Sequence, residues 1–105
     1  MMQGIYLKLF VPEEIRLHGD LLYEWILKQA ESIGIPGGSA VRAMAGFGRH
    51  GRLHEQHFFE LAGKLPIILE FFATDEAINQ LMSLLTAEKV SLFYIKFQAE
   101  AGNTI

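Results

Sequence analysis

A chain of 105 residues has room for one domain, residues 1–105, and little for a second core. It contains no cysteine, which excludes disulfides and thiolate metal sites. Its net charge of −3, without a broad basic stripe, argues against nucleic-acid binding.

The first half of the chain predicts a strand, a helix and a second strand. Alternating apolar residues in IYLKLFV indicate a strand that ends at Pro12. After the polar connection EEIRLHG, Asp20 is placed to cap a helix that Gly34 ends. The apolar stripe of this helix consists of Leu22, Trp25, Ile26, Ala30 and Ile33. The turn Pro36-Gly37-Gly38 then leads into a second strand, SAVRAMAGF, over residues 39–47.

The second half repeats this alternation of strand and helix. Pro66 opens a third strand, IILEFFA, and Thr74-Asp75-Glu76 has the chemistry of a helix start. The stripe of this second helix is Ile78, Leu81, Met82 and Leu85. VSLFYIKF predicts a fourth strand, and the tail EAGNTI is expected to fray.

The order strand–helix–strand–strand–helix–strand predicts an α+β fold, the ferredoxin-like βαββαβ sandwich. Its four-stranded antiparallel sheet would carry both helices on one face and leave the other face open. The alternation predicts a covered face of Ile5, Leu7, Leu9, Val41, Ala43, Ala45, Ile67, Leu69, Phe71, Phe93, Ile95 and Phe97. It predicts an open face of Tyr6, Lys8, Phe10, Arg42, Met44, Ile68, Glu70, Phe72, Leu92, Tyr94 and Lys96.

The predicted open face is unusually apolar for a surface in contact with water. A solvated sheet face is normally polar, whereas large aromatic side chains alternate here with charged ones. One interpretation is an oligomer interface that packs sheet faces together, and the alternative is a monomer with scattered surface aromatics. Under the first interpretation, subunit contacts would include Tyr6, Phe10, Phe72 and Tyr94.

AGFGRHGRLH, residues 45–54, comes directly after SAVRAM and has the composition of an anion-binding loop. Glycines allow a ligand to approach the backbone, and successive N–H groups can form a nest for an anion. Arg49 adds a guanidinium fork suited to phosphate. A glycine-rich hairpin turn without a ligand would have a similar sequence.

The chain resembles the PII signalling superfamily, and most closely the PII-like family of small uncharacterised bacterial and archaeal proteins. The resemblance rests on LYEWILKQAESIGIPGGSAVRAMAGFGRHGRLH (22–54) and KLPIILEFFATDEAINQLMSLL (64–85). These stretches contain the Leu-Tyr-Glu entry to the first helix and a strand that runs into Gly-Phe-Gly-Arg. A Leu-His pair and a Leu-Pro start to the third strand follow.

The resemblance implies a homotrimer that binds an adenine nucleotide (AMP, ADP or ATP) in clefts between subunits. The nucleotide-binding residues that it carries over are Gly46, Phe47, Gly48, Arg49 and His54. Phe47 would anchor the run from the core-facing side of the second strand. The loop of residues 49–63 would engage a client protein, and we expect it to become more ordered when ligand binds.

Two features depart from the PII pattern. The 49–63 loop is shorter and lacks the tyrosine that is uridylylated in some PII proteins. The Gly-Asp-Gly-Lys phosphate loop before the last strand is replaced by TAEKV, in which Lys89 is the one cation and the last candidate nucleotide-binding residue. A nucleoside mono- or diphosphate is therefore as consistent with the sequence as a triphosphate.

Three of the four histidines lie close together and suggest an alternative ligand. His50, His54 and His57 would share one face of a helix and could bind Zn²⁺ or Cu²⁺. No cysteine or nearby aspartate completes such a set. His18 lies in the first loop, where it would be exposed, capping, or within reach of a cleft between subunits.

The sequence has no pattern typical of an enzyme. It contains no nucleophile elbow and no triad order, and Glu13-Glu14 has the character of a solvated loop. The N-terminus lacks the features of a signal peptide, and no apolar run is long enough to span a membrane. We therefore expect a non-catalytic cytoplasmic protein. Three alternatives remain: a nucleotide-binding regulator, a metal-binding trimer of the same fold, and a structural oligomer without a small ligand.

Overall fold

In the computed structural model, which describes residues 1–47 and 65–105, two helices pack on a four-stranded antiparallel sheet. The strands of this sheet are β1 (Met2–Val11), β4 (Gly38–Arg42), β5 (Ile67–Ala73) and β6 (Phe93–Ala101). The helices are α1 (Leu22–Ile33) and α2 (Asp75–Ala87), and β2 (Arg16–Leu17) pairs with β3 (Asp20–Leu21) before α1. The sheet order β4-β5-β1-β6 confirms the predicted ferredoxin-like fold.

The core lies between the two helices and the central strands β1 and β5. Both strands alternate buried and half-buried residues, as the sequence predicts. The sheet contributes to the core Leu7, Leu9, Val11, Ile67, Leu69 and Phe71. The helices contribute Leu22, Trp25, Ile26, Ala30, Ile78, Leu81 and Leu85. The predicted helix stripes are therefore confirmed, with Ile33 and Met82 packed at the margin of the core.

The start of α1 differs from the prediction, and its end agrees with it. The N-cap residue is Leu21, which makes no side-chain capping bond. Asp20 belongs to β3, where its carboxylate lies 3.4 Å from the ammonium of Lys28. The cap prediction is wrong because the short β2–β3 ladder occupies the backbone just before the helix. At the other end Gly34 adopts the left-handed conformation, with φ 103°, and closes the helix as predicted.

Gly34→Ala should lower the free energy of unfolding by about 1 kcal/mol, because a Cβ disfavours the left-handed conformation. The ideal Cβ position at Gly34 has no atom within 4 Å among the described residues, so the cost is conformational and not steric. Gly37 is equally uncrowded and does not have a positive φ. Gly37→Ala is therefore the matched control, for which urea denaturation should show little change or a small gain. Equal losses for the two variants would contradict this account.

The start of α2 confirms the prediction from Thr74-Asp75-Glu76. The Thr74 hydroxyl accepts a hydrogen bond from the Ala77 backbone N–H at 3.2 Å, and two acidic residues follow in the first turn. Among the residues that the structure describes, neither helix is long and apolar enough to cross a membrane.

Both edge strands have bounds that differ from the predicted ones. The second strand of the sequence prediction, 39–47, ends in the structure at Arg42, because its partner β5 begins opposite at Ile67. Phe47 therefore lies beyond the strand and is 78% exposed, so the predicted anchoring on the core side is wrong. β6 includes Glu100 and Ala101, the first two residues of the tail that the sequence predicts to fray, because it pairs with β1 as far as Met2.

The two edge strands also present the opposite faces from those predicted. Register with the central strands places four apolar side chains on the open face: Val41, Phe93, Ile95 and Phe97. Tyr94 and Lys96 pair with the core residues Leu9 and Leu7 and so lie on the helix side of the sheet, while Arg42 pairs with Ile67. Alternation gives the period of a strand but not its face when both faces carry apolar residues, and a shift of one residue reverses every side chain.

Candidate functional site

Three loops meet at one end of the sheet, here called the loop end. β1 and β4 finish there, at Val11 and Arg42, and β5 and β6 begin there. The segment of residues 12–21, the exit from β4 and the turn between α2 and β6 therefore share this end. The exit from β4 leads into Gly-Phe-Gly-Arg, residues 46–49, here called the glycine run. The loop end contains every candidate nucleotide-binding residue that the structure describes.

The described part of the glycine run reaches Phe47. Gly46 has a φ of 158°, near the extended region, and its ideal Cβ position has no described atom within 4 Å. As far as residues 1–47 and 65–105 are concerned, this backbone leaves room for the close approach of a ligand. Gly48 and Arg49 lie outside the described residues, as does the 49–63 loop.

The candidate cation Lys89 lines a surface cleft on the helix side of β6. The cleft has a volume of about 380 Å³ and lies between the end of α2 and Tyr94 of β6. Lys89 has a positive φ of 60°, and its N–H donates to the Thr86 carbonyl at 3.0 Å. The next N–H, of Val90, donates to the Leu85 carbonyl at 2.9 Å, so a hydrogen-bonded turn presents the lysine.

The end of β4, which leads into the glycine run, and Lys89 lie at opposite edges of the loop end within one chain. The run continues from β4 and Lys89 precedes β6, and these two strands are the outer members of the sheet. Three strand spacings, about 14 Å, separate such edges. The described residues thus provide two separate halves of a candidate site, and they do not bring the halves together.

The alternative hypothesis, a metal site formed by loop histidines, concerns residues that the structure does not describe. His50, His54 and His57 all lie outside the described residues. Within 1–47 and 65–105, no three His, Asp or Glu side chains are grouped to hold a metal ion. The fourth histidine, His18, is exposed at the turn between β2 and β3, and its Nε2 lies 2.9 Å from Oε1 of Glu88.

Sequence reasoning missed the partners of two glutamates near this site. The sequence predicts a solvated Glu13, but its carboxylate accepts a hydrogen bond from the Arg42 guanidinium. That bond is the main reason why the pKa of Glu13 lies below its usual value. Glu88, at the end of α2, contacts His18. No local pattern could indicate these contacts, because 29 and 70 residues separate the partners in sequence.

The open face of the sheet is more apolar than the sequence predicts. The exposed fractions of Phe93, Ile95 and Phe97 are 62%, 42% and 52%. Phe97 stacks on Tyr6 with ring centroids 5.0 Å apart, and Phe93 lies 5.4 Å from Phe10. Tyr6, Phe10 and Phe72 are on this face as predicted, whereas Tyr94 is not.

One polar row crosses this apolar face. Lys8 pairs in register with Glu70, and Ser39 flanks Glu70 on β4. The Tyr6 hydroxyl donates a hydrogen bond to the Glu70 carboxylate. The pKa of Tyr6 is raised from 10.0 to about 12, mainly because of this hydrogen bond and secondly because of burial.

The Tyr6 phenol should therefore ionise near pH 12, and Glu70→Gln should return its pKa toward 10.0. Because the folded pKa is the higher one, the stabilising contribution is complete below pH 10.0 and is lost as the pH rises through about 12. Ultraviolet titration measures the ionisation, with Tyr6→Phe subtracted to isolate the signal. A Tyr6 titration that is the same with and without the Glu70 carboxylate would contradict this assignment.

Comparisons with known proteins agree with this architecture. Residues 4–91 match the model of the DUF190 family, described as Uncharacterized ACR, COG1993. A UPF0166 protein of Aquifex aeolicus is 27% identical over 97 residues, which covers 85% of this chain and 92% of the relative. A UPF0166 protein of Methanocaldococcus jannaschii is 31% identical over 82 residues, covering 78% and 75%.

Solved structures of PII-like proteins have the same fold. The chain superposes on CPII of Thiomonas intermedia K12, whose structure contains ADP and bicarbonate, with a TM-score of 0.64 and 16% identity. That alignment covers 97% of this chain and 91% of CPII. A second CPII structure, bound to ADP, AMP and bicarbonate, gives a TM-score of 0.63 over the same coverage. With its match over residues 4–91 and its likeness to the UPF0166 proteins, the chain belongs to the DUF190 (UPF0166) family, and it shares its fold with PII-like proteins of known structure.

Proposed function

We propose that this protein is a non-catalytic, ligand-sensing regulator of the PII-like kind in the cytoplasm. It binds an adenine nucleotide in clefts between the subunits of a homotrimer, and it acts on a client protein through residues 49–63. The observation that carries the proposal is the position of the two candidate half-sites, at the same end of the sheet but at opposite edges.

A ring of identical subunits would join these half-sites. In a cyclic assembly one edge of each subunit faces the other edge of its neighbour. β4 and β6 run antiparallel, since β4 pairs antiparallel with β5, β5 with β1, and β1 with β6. With β6 of one subunit beside β4 of the next, the end of β4 at Arg42 meets the start of β6 at Phe93. The glycine run of one subunit then lies next to Lys89 of its neighbour.

The exposure of the two edge strands supports such an assembly. All five residues of β4 are exposed, and so are seven of the nine residues of β6. The open face adds the exposed aromatic rings of Phe93 and Phe97. An apolar surface of this kind is typical of a face that another protein chain covers. The face is thus the proposed centre of the trimer.

Two features support the proposed ligand class: the chemistry of the two half-sites and a solved structure of the same fold. Arg49 and the glycine N–H groups would hold phosphate, and the cleft beside Lys89 offers an apolar wall with one cation. CPII, of the same fold, is described with ADP and AMP bound. Because Lys89 is the one cation of the TAEKV turn, we propose AMP or ADP ahead of ATP.

Calorimetry of the purified protein with AMP, ADP, ATP and Zn²⁺ tests the proposal, with light scattering to give the assembly mass. We expect a trimer with saturable nucleotide binding and a melting temperature that rises with nucleotide concentration. No nucleotide binding at millimolar concentration would refute the nucleotide site. Binding of Zn²⁺ alone would favour the histidine alternative, and a trimer that binds neither would favour a structural oligomer.

A further inference from the structure

The segment that joins β1 to α1 spans the loop end from one half-site toward the other. These residues, 12–21, are here called the strap. Backbone hydrogen bonds hold the strap: the Ile15 N–H donates to the Pro12 carbonyl at 3.3 Å, and the N–H of Leu22, the first residue of α1, donates to the Ile15 carbonyl at 2.7 Å. The β2–β3 ladder pairs Arg16 with Leu21. It is therefore a folded unit of its own and not an extended connection.

The first arm of the strap, Glu13, contacts the end of β4, here called the root of the glycine run. The Glu13 carboxylate accepts a hydrogen bond from the guanidinium of Arg42, the last residue of β4. Ala43, Met44 and Ala45 join Arg42 to the glycine run. The first of them, Ala43, extends the pairing by one bond, donating its N–H to the Pro66 carbonyl at 3.3 Å.

The other arm holds the turn that presents Lys89. His18 has a positive φ of 51° at the tip of the ladder, and its Nε2 lies 2.9 Å from Oε1 of Glu88. Glu88 is the C-cap of α2 and immediately precedes Lys89. The His18 ring also lies 6.0 Å, centroid to centroid, from the buried Trp25, which ties this arm to the core.

We infer that the strap positions both half-sites of the proposed nucleotide site, with Glu13 acting on the root of the glycine run and His18 on the Lys89 turn. The inference rests on the proposed function for its ligand, while the two contacts that carry it lie within one chain. Neither residue needs to touch the nucleotide, so both are positioning residues. Since both contacts are exposed, each should contribute modestly.

Three variants separate the two arms. Glu13→Gln removes the charge that faces Arg42. His18→Asn shortens the side chain so that it no longer reaches Glu88, and asparagine tolerates a positive φ. Glu14→Gln is the control, because Glu14 is exposed and forms no hydrogen bond or ion pair among the described residues.

Hydrogen exchange without nucleotide gives the first readout. Glu13→Gln should speed exchange at the Ala43 amide, and His18→Asn should speed exchange at the Lys89 and Val90 amides, while Glu14→Gln changes neither. Adding Glu88→Ala to His18→Asn should have no further effect at Lys89 and Val90, because the two side chains act through one contact. Unchanged exchange at both arms would overturn the inference.

Calorimetry with ADP gives the second readout. Glu13→Gln and His18→Asn should each weaken ADP binding about two- to fivefold, the range of exposed ion pairs, with the global unfolding midpoint unchanged. Wild-type affinity in both variants would overturn the positioning role. If the wild-type protein binds no ADP, the proposed function fails, while the exchange measurements still decide whether the strap holds the two half-sites.

Discussion

Phe97→Asp is expected to convert the proposed trimer into monomers at micromolar concentration. In the single chain Phe97 is 52% exposed on the open face, where its ring stacks on Tyr6. Burial of a phenylalanine against a second subunit contributes about 1.5–3 kcal/mol. An aspartate there loses this contribution and adds the larger cost of burying an unpaired carboxylate. Light scattering or sedimentation across a dilution series measures the change.

Gln98→Asp is the matched control for this variant. Gln98 is the next residue of β6, is exposed, and pairs with Ile5 on the opposite face of the sheet. The substitution adds the same charge to the same strand without entering the open face. We expect it to stay assembled, with circular dichroism showing that both variants fold. If Phe97→Asp assembled like the wild type, the open face would not be the interface.

Arg49→Ala should weaken nucleotide binding about ten- to a hundredfold. A charge-assisted hydrogen bond to phosphate contributes about 1.5–3 kcal/mol, and this variant removes it. Arg49 lies outside the described residues, so the prediction rests on the Gly-Phe-Gly-Arg run and on its place after β4. Calorimetry with ADP measures the loss. Arg52→Ala removes an equal charge from the same loop but outside the run, and it should cost much less.

The glycine and histidine variants distinguish the anion site from a metal site. Gly48→Val should reduce nucleotide affinity more than Arg49→Ala does, because a branched side chain restricts the backbone and blocks the ligand's approach. A metal site predicts the reverse pattern. His54→Ala and His57→Ala would then abolish Zn²⁺ binding, and Arg49→Ala would change little. If both Gly48→Val and Arg49→Ala bound nucleotide as tightly as the wild type, any anion site would lie outside the glycine run.

For elements that bury one face, the local sequence was sufficient to predict which side chains point into the core. β1 and β5 are covered by helices on one side, and their alternation therefore reports their faces correctly. The two helices show their stripes for the same reason, and Gly34 and Thr74 act at their ends as predicted. The family resemblance added a family of small uncharacterised proteins, which the DUF190 match over residues 4–91 confirms, and a PII-like fold, which the solved structures share.

The edge strands depended on tertiary structure, since neither has a covered face that selects one set of alternate residues. Alternation predicts Val41, Phe93 and Phe97 under the helices, but register with the central strands places them on the open face. The length of β4 was likewise set by its partner, which begins at Ile67. A strand's hydrogen-bonded neighbour, and not its own composition, determines where it ends and which way it faces.

For the candidate site, too, the sequence indicated some residues, and the tertiary structure decided where they lie. The residues themselves suggested the glycine run as a candidate anion site, because glycines followed by an arginine can hold a phosphate. Lys89 became a candidate through the resemblance, as the one cation where PII proteins have a phosphate loop. Only the tertiary structure placed the root of the run and Lys89 at opposite edges of one end. It also paired Glu13 with Arg42 and His18 with Glu88 across 29 and 70 residues. Contacts at such separations arise from the packing of the whole chain, and local sequence patterns therefore cannot predict them.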